Sequence, residues 1–252
     1  MTISTQLHDN GTFVVTMDYP PVNALPVAGW FRLAEAVREA GEDPAVHVVL
    51  LRAEGRGFNA GVDIKEMQRT AGYDALVGAN RGCYLAFKAI YECAVPVIAA
   101  VNGFCLGGGV GLVGNCDTII AADDAYFGVP EVDRGALGAA THLARLVPQH
   151  LMRTLYFTSR TIAANDLVLH GSVLETVPAA DLHDAALALA AEVAAKDPRV
   201  IRAAKAALNG IDPIDVNRSY RYEQGYTFEL NLIGAADEHR DAFVATGRPL
   251  TD

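Results

Sequence analysis

Two glycine-rich segments carry the first chemical signal in this chain. Arg56-Gly57-Phe58-Asn59-Ala60-Gly61 ends just before Asp63, and Asn102-Gly103-Phe104-Cys105-Leu106-Gly107-Gly108-Gly109 follows an apolar run. Each reads as a tight turn delivering the backbone to the start of a helix, where the first N–H groups lack intrahelical acceptors. Donors fixed in that way stabilise a negative oxygen with little reorganisation. If the two turns converge beside an acid they form an oxyanion hole; standing apart, they are only the tight turns that glycine permits. Asp63, just before Ile64, suits a helix N-cap.

Other chemistries leave no trace. Gly107-Gly108-Gly109-Val110-Gly111 superficially suggests a dinucleotide loop, but that fingerprint needs an early βαβ unit and an acid at the end of the next strand. Asp123 and Asp124 lie in a different pattern. No P-loop Lys-Ser/Thr pair and no GxSxG nucleophile elbow occurs. Cys83, Cys93, Cys105 and Cys116 are spread singly, without CxxC or neighbouring histidines, so neither a zinc cage nor a disulfide framework is expected.

The elements that must position these turns follow an α/β rhythm. Asn10-Gly11 reads as a hairpin turn leading into Phe13–Met17, and a helix carrying Trp30, Leu33, Ala34 and Val37 ends near Gly41. Strands are expected at Val46–Leu51, Val97–Val101 and Thr118–Ala122, with a helix from Asp74 to about Cys93. After Tyr126-Phe127-Gly128-Val129-Pro130-Glu131, one helix is expected to carry Leu143, Leu146, Val147 and Leu151. Beyond Val177 the chain reads as helical, with an alanine-rich stretch from Asp184 to Lys196 and amphipathic segments near 199–208 and 215–244.

Length and charge narrow the classes. A chain of 252 residues, 51% hydrophobic and 20% charged, can bury a core without metal or disulfide staples. The 30 acidic residues against 20 basic ones leave a net charge of −10, which opposes nucleic acid and anionic membranes as partners. The N-terminus shows no export signal, and the apolar run from Pro96 is broken by Asn102 and glycines. A reducing, cytoplasmic setting is expected.

Three blocks together resemble the signatures of the crotonase, or enoyl-CoA hydratase/isomerase, superfamily. They are Phe58–Met67, Asn102-Gly103 with Gly107-Gly108-Gly109, and Phe127-Gly128-Val129-Pro130-Glu131, in that order. The likeness runs from Asn23-Ala24-Leu25 to the C-terminal helices. It implies an α/β spiral of ββα units with a C-terminal helical trimerisation region, divided as a core over 1–195 and an oligomerisation and lid region over 196–252. The implied ligand is an acyl-CoA thioester, with coenzyme A entering as part of the substrate and no separate cofactor or metal, and the implied assembly is a homotrimer or homohexamer.

Carried over by position, the N–H groups of Val62 and Gly108 would hold the thioester oxygen. Ala60 and Ile64 would hold the adenine through their backbones, Ala24 would border the CoA arm, and Asp63 would sit beside them, chiefly as a cap. Glu131 matches one of the two glutamates that hydratases of this superfamily use; Gly111 stands where the other belongs. Glycine transfers no proton, so two-glutamate hydration is in doubt, and an acid returned at position 111 is expected to restore some hydration if the loop has room. Asp133, if its segment is extended, and His142, if its helix brings it in, are further candidates for orienting water.

Within the superfamily, the stretches around 58–70, 79–114, 130–153 and 220–243 resemble a specialised type. Those enzymes open a ring of a methylated bicyclic indane dione, carried as a CoA thioester, in bacterial steroid catabolism. The implied reaction is attack of Glu131-activated water on the five-membered-ring ketone, with the broken bond's electrons running into the thioester. The alternatives are a hydratase or single-glutamate isomerase of fatty acyl-CoA, and a non-catalytic acyl-CoA or RNA binder.

Overall fold

The computed structural model describes residues 1–247. Strands β1 (Thr2–Leu7) and β2 (Thr12–Asp18) form the expected hairpin around Asn10-Gly11, and helix α1 (Val27–Glu42) follows. Three successive pairs of strands then repeat one device. β3 (Val48–Ala53) leads to β4 (Gly57–Asn59), β5 (Val97–Val101) to β6 (Phe104–Leu106), and β7 (Thr118–Ala122) to β8 (Tyr126–Gly128). The first strand of each pair enters a six-stranded sheet of order β1-β2-β3-β5-β7-β10, the second a four-stranded sheet of order β4-β6-β8-β9. Here β9 is Thr161–Ala163 and β10 is Glu175–Val177. Helices α2 (Ile64–Arg69) and α3 (Asp74–Tyr91) follow the first pair and α4 (Gly108–Val113) the second. This is the expected spiral of ββα units.

The large sheet is parallel from β2 to β10 and takes only β1 antiparallel. Burial on both faces explains its composition: β5 is Val-Ile-Ala-Ala-Val, buried throughout. The core strands predicted from apolar runs stand where expected. The helix predicted through Leu143–Leu151 is instead two, α5 (Ala140–Leu143) and α6 (Gln149–Thr158), because Pro148 cannot continue a helix begun before it. α7 (Ala164–His170) and α8 (Leu182–Ala194) complete this part.

Three further helices close the described chain: α9 (Pro198–Ile211), α10 (Val216–Leu232) and α11 (Ala235–Thr246). The segment read as continuous over 215–244 is thus broken, at Gly234, whose φ of +82° ends α10 and turns the chain back. α9 is bolted to the large sheet by Lys205, only 4% exposed, whose Nζ donates to both carboxylate oxygens of Asp117 at 2.7 and 2.8 Å. Asp117 in turn accepts the Val97 N–H at 2.8 Å. All four cysteines are buried free thiols, and no helix among the described residues is long and apolar enough to cross a membrane.

Candidate active site

The two glycine turns converge. β4 and β6 are neighbours in the small sheet, so the segments that leave their ends run side by side, and a β-carbon on Gly61 would lie 3.2 Å from the Gly108 nitrogen. Among the described residues, neither the Val62 N–H nor the Gly108 N–H donates to a protein acceptor. They are the free donors an anionic oxygen requires. Asn59 and Asn23 hold the first turn: Asn59 accepts the Gly61 N–H at 2.8 Å and donates to the Asn23 carbonyl at 2.5 Å.

Both turns line a cavity of about 770 Å³. Its floor includes Gly107, Gly108 and Glu131; one wall is the face of α3 carrying Leu76, Ala79, Asn80, Cys83 and Phe87; α10 and α11 add Tyr220, Thr227, Arg240 and Phe243. Ala24, Ala60, Asp63 and Ile64 line it too. Ala60 spends its N–H on the Val22 carbonyl at 3.2 Å, so its own carbonyl is what remains to offer a ligand. Asp63 caps α2, accepting from Lys65 N–H at 3.0 Å and Glu66 N–H at 3.4 Å. Lys65, Arg69 and Arg240 on the lining supply positive charge for a polyanionic ligand.

Glu131 sits at the inner end. Its Oε1 packs against the Cα of Gly107, where φ is +55° and any β-carbon would collide with the carboxylate. Its Oε2 is buried without a hydrogen-bond partner. Burial pushes its pKa up to about 8; the nearby Arg134 guanidinium opposes that rise and the Glu223 carboxylate adds to it. Such a carboxylate, short of partners and at the inner end of a cavity, suits proton transfer near neutral pH.

The other two candidates are placed elsewhere. Residues Val132–Arg134 form a 3-10 turn and not an extended segment. Side chains three apart share a face of such a turn, so Arg134 joins Glu131 on the lining and Asp133 does not. Arg134 is stacked 4.4 Å from the Phe243 ring centroid. His142 is buried, only 1% exposed, beside Phe87 and Tyr220, with ring centroids 4.8 and 5.0 Å away, and does not line the cavity. Its Nδ1 lies 3.0 Å from Asn115 Nδ2. Burial drives its pKa down to about 3, so the ring is neutral at ordinary pH.

Sequence reasoning missed Phe87, Arg134 and Glu223. The first lay in plain view, since 76, 79, 80, 83 and 87 mark one face of a helix; the second needed the turn type. Glu223 gave no local signal, because it acts on Ala140 across 83 residues of chain.

A family profile described as enoyl-CoA hydratase/isomerase matches residues 8–231. A protein of Rhodococcus jostii (strain RHA1), named (7aS)-7a-methyl-1,5-dioxo-2,3,5,6,7,7a-hexahydro-1H-indene-carboxyl-CoA hydrolase, is 68% identical over 99% of this chain and 96% of its own length. A protein of the same name from Mycobacterium tuberculosis (strain ATCC 25618 / H37Rv) is 66% identical over 97% of this chain and 99% of its own. Among solved structures, an enoyl-CoA hydratase/isomerase from Xanthobacter autotrophicus Py2 superposes with a TM-score of 0.88 at 26% identity, covering 97% of this chain and 93% of that one.

Proposed function

The chain belongs to the enoyl-CoA hydratase/isomerase family, and on that premise we propose that it hydrolyses a carbon–carbon bond in a bicyclic CoA thioester. The substrate is the 7a-methyl-1,5-dioxo-hexahydroindene-carboxyl-CoA for which its two close relatives are named. One observation carries the reading: a single unpartnered carboxylate, Glu131, shares a cavity with two unengaged N–H groups, Val62 and Gly108.

The chemistry follows from that pairing. Glu131 takes a proton from water, and the hydroxide attacks the ketone of the five-membered ring. The bond from that carbon to the methyl-bearing ring carbon breaks, which leaves a carboxylic acid. Its electron pair runs through the conjugated ring to the thioester oxygen, where the Val62 and Gly108 N–H groups receive the charge. Glu131 then returns its proton to carbon, so the sum is one water added with the thioester intact. A base and an oxyanion hole suffice, which is why glycine at position 111 is compatible with turnover. This route requires no metal, flavin or nicotinamide, and coenzyme A enters only as part of the substrate.

For assembly, Val200, Leu208, Ile211, Leu232 and Ile233 on or beside α9 and α10 are large apolar side chains left exposed. A homotrimer or a pair of trimers in the cytoplasm would cover such faces.

The test is mass spectrometry after incubation with the bicyclic ester. A product heavier by one water that still carries CoA is expected. Release of free CoA would show attack on the thioester instead, and efficient hydration of crotonyl-CoA would favour the fatty acyl hydratase.

A further inference from the structure

Glu223 approaches the segment 136–141 from α10, far along the chain, and binds it at two points, with Tyr156 of α6 as a third partner. Its Oε1 accepts the Ala140 N–H at 2.9 Å and the Tyr156 hydroxyl at 3.0 Å, and its Oε2 accepts the Thr141 N–H at 3.3 Å. Tyr156 Oη accepts the Gly138 N–H at 3.1 Å. One carboxylate therefore commits three donors directly and a fourth through the phenol, all polarised toward α10. One helical turn on, Thr227 Oγ1 accepts the Leu137 N–H at 3.1 Å and donates to the Leu137 carbonyl at 2.5 Å.

The loop so held is the inner wall beside Glu131. Ala136 donates its N–H to the Glu131 carbonyl at 3.0 Å, and a β-carbon on Gly138 would stand 3.9 Å from Glu131 Cγ. Between the bonded residues Gly138 and Ala140, Ala139 is held at φ +63°, a left-handed conformation that strains an alanine. Backbone of that kind persists where its surroundings over-determine it, and here the determining group is a carboxylate.

We propose that Glu223, acting partly through Tyr156, is a positioning residue that fixes loop 136–141 and thereby the place of the Glu131 carboxylate during turnover. The proposal rests on the reading of Glu131 as the base. Glu223 also brings a negative charge to the Glu131 carboxylate, which is otherwise faced by Arg134, by Tyr156 of α6, by Cys83 of α3 and by Tyr220 of α10.

Two variants of the full chain test it on the bicyclic ester. Tyr156→Phe loses one hydroxyl and leaves the charge; Glu223→Gln loses the charge and keeps the shape. We expect kcat to fall about 10- to 100-fold in each, with KM within about 2-fold, as for a group misplaced by a fraction of an ångström. In Glu223→Gln alone the acid limb of the pH–rate profile should move to lower pH, since a lost negative neighbour favours the ionised Glu131. If Glu223→Gln does not fold, the kcat–KM split in Tyr156→Phe carries the test. Wild-type kcat in the folded variants would overturn the proposal, reducing the clamp to a fold contact. A wild-type chain that leaves the ester unchanged would remove the functional reading and this proposal with it, an outcome distinct from active variants.

Discussion

The ring of Phe87 fills the space that any side chain at position 111 would enter: a β-carbon on Gly111 would overlap it. Phe87 comes from α3 and lines the cavity, so an apolar edge stands where a second acid would be. The expectation that a glutamate at position 111 could restore hydration therefore fails on space. Gly111→Ala should lower stability by about 1–3 kcal/mol through overpacking, Gly111→Glu by more, and neither should hydrate crotonyl-CoA. Chemical denaturation and a crotonyl-CoA assay check both; a stable, hydrating Gly111→Glu would refute the steric argument.

Glu131→Gln keeps shape but cannot take a proton from water, and its turnover should fall by about 10²–10⁴. Affinity for the ester should survive, because the thioester grip comes from backbone N–H groups. Asp133→Asn should retain near-normal rates, since its side chain lies off the cavity lining. His142→Ala should act through stability, leaving a hole in the aromatic cluster and removing one of the two partners of Asn115 Nδ2. A collapse of turnover in Asp133→Asn with normal rates in Glu131→Gln would identify the wrong carboxylate.

The pH dependence has a defined sign. Turnover should rise with pH and level off above about 8, where Glu131 is ionised. Stability runs the other way: the folded chain holds this proton more tightly than the unfolded one, so the contribution is full below about 4.5 and lost as pH rises through about 8. The stability of Glu131→Gln relative to the wild type should thus be several kcal/mol greater at pH 8 than at pH 4. Urea titrations at the two pH values decide it. His142 has the opposite sign, with stability lost as pH falls below its unfolded value of 6.5 toward about 3.

Gly107→Ala combines a left-handed φ with a β-carbon driven into Glu131 Oε1. We expect a loss of at least about 10-fold in kcat, because the base moves by a fraction of an ångström or more. An unchanged kcat would mean the carboxylate has another productive position.

Light scattering on the purified chain should give three or six times the protomer mass of 26.7 kDa. A strict monomer at micromolar concentration would contradict the assembly proposed from the apolar residues of α9 and α10.

Local signals served well where local physics decides. The runs Val97–Val101 and Thr118–Ala122 match β5 and β7 to the residue, because strands buried on both faces must be continuous apolar stretches. Asp63 was legible as a cap for the same reason: its bonds reach only the next turn. Asp133 would face the cavity only in an extended segment, and Gly135, at φ +65°, instead closes a 3-10 turn there. The Phe87–Gly111 overlap and the Glu223 clamp were invisible because each joins elements far apart in sequence, and only the packing of α3 on α4 and of α10 on α5 brings them together.

The cavity draws its lining from positions as far apart in sequence as Met1 and Val244. During synthesis five strands of the large sheet are available once residue 122 has emerged, but Arg240 and Phe243 arrive only with α11. A nascent chain can thus assemble most of its large sheet long before the cavity lining is complete. Ligand binding stabilises a chain only as far as its site is built, so a chain stalled or truncated before α11 should gain less from an acyl-CoA than one that carries Arg240 and Phe243. The substrate's protection thus grows with the last helix, while the core packing must hold the chain before it.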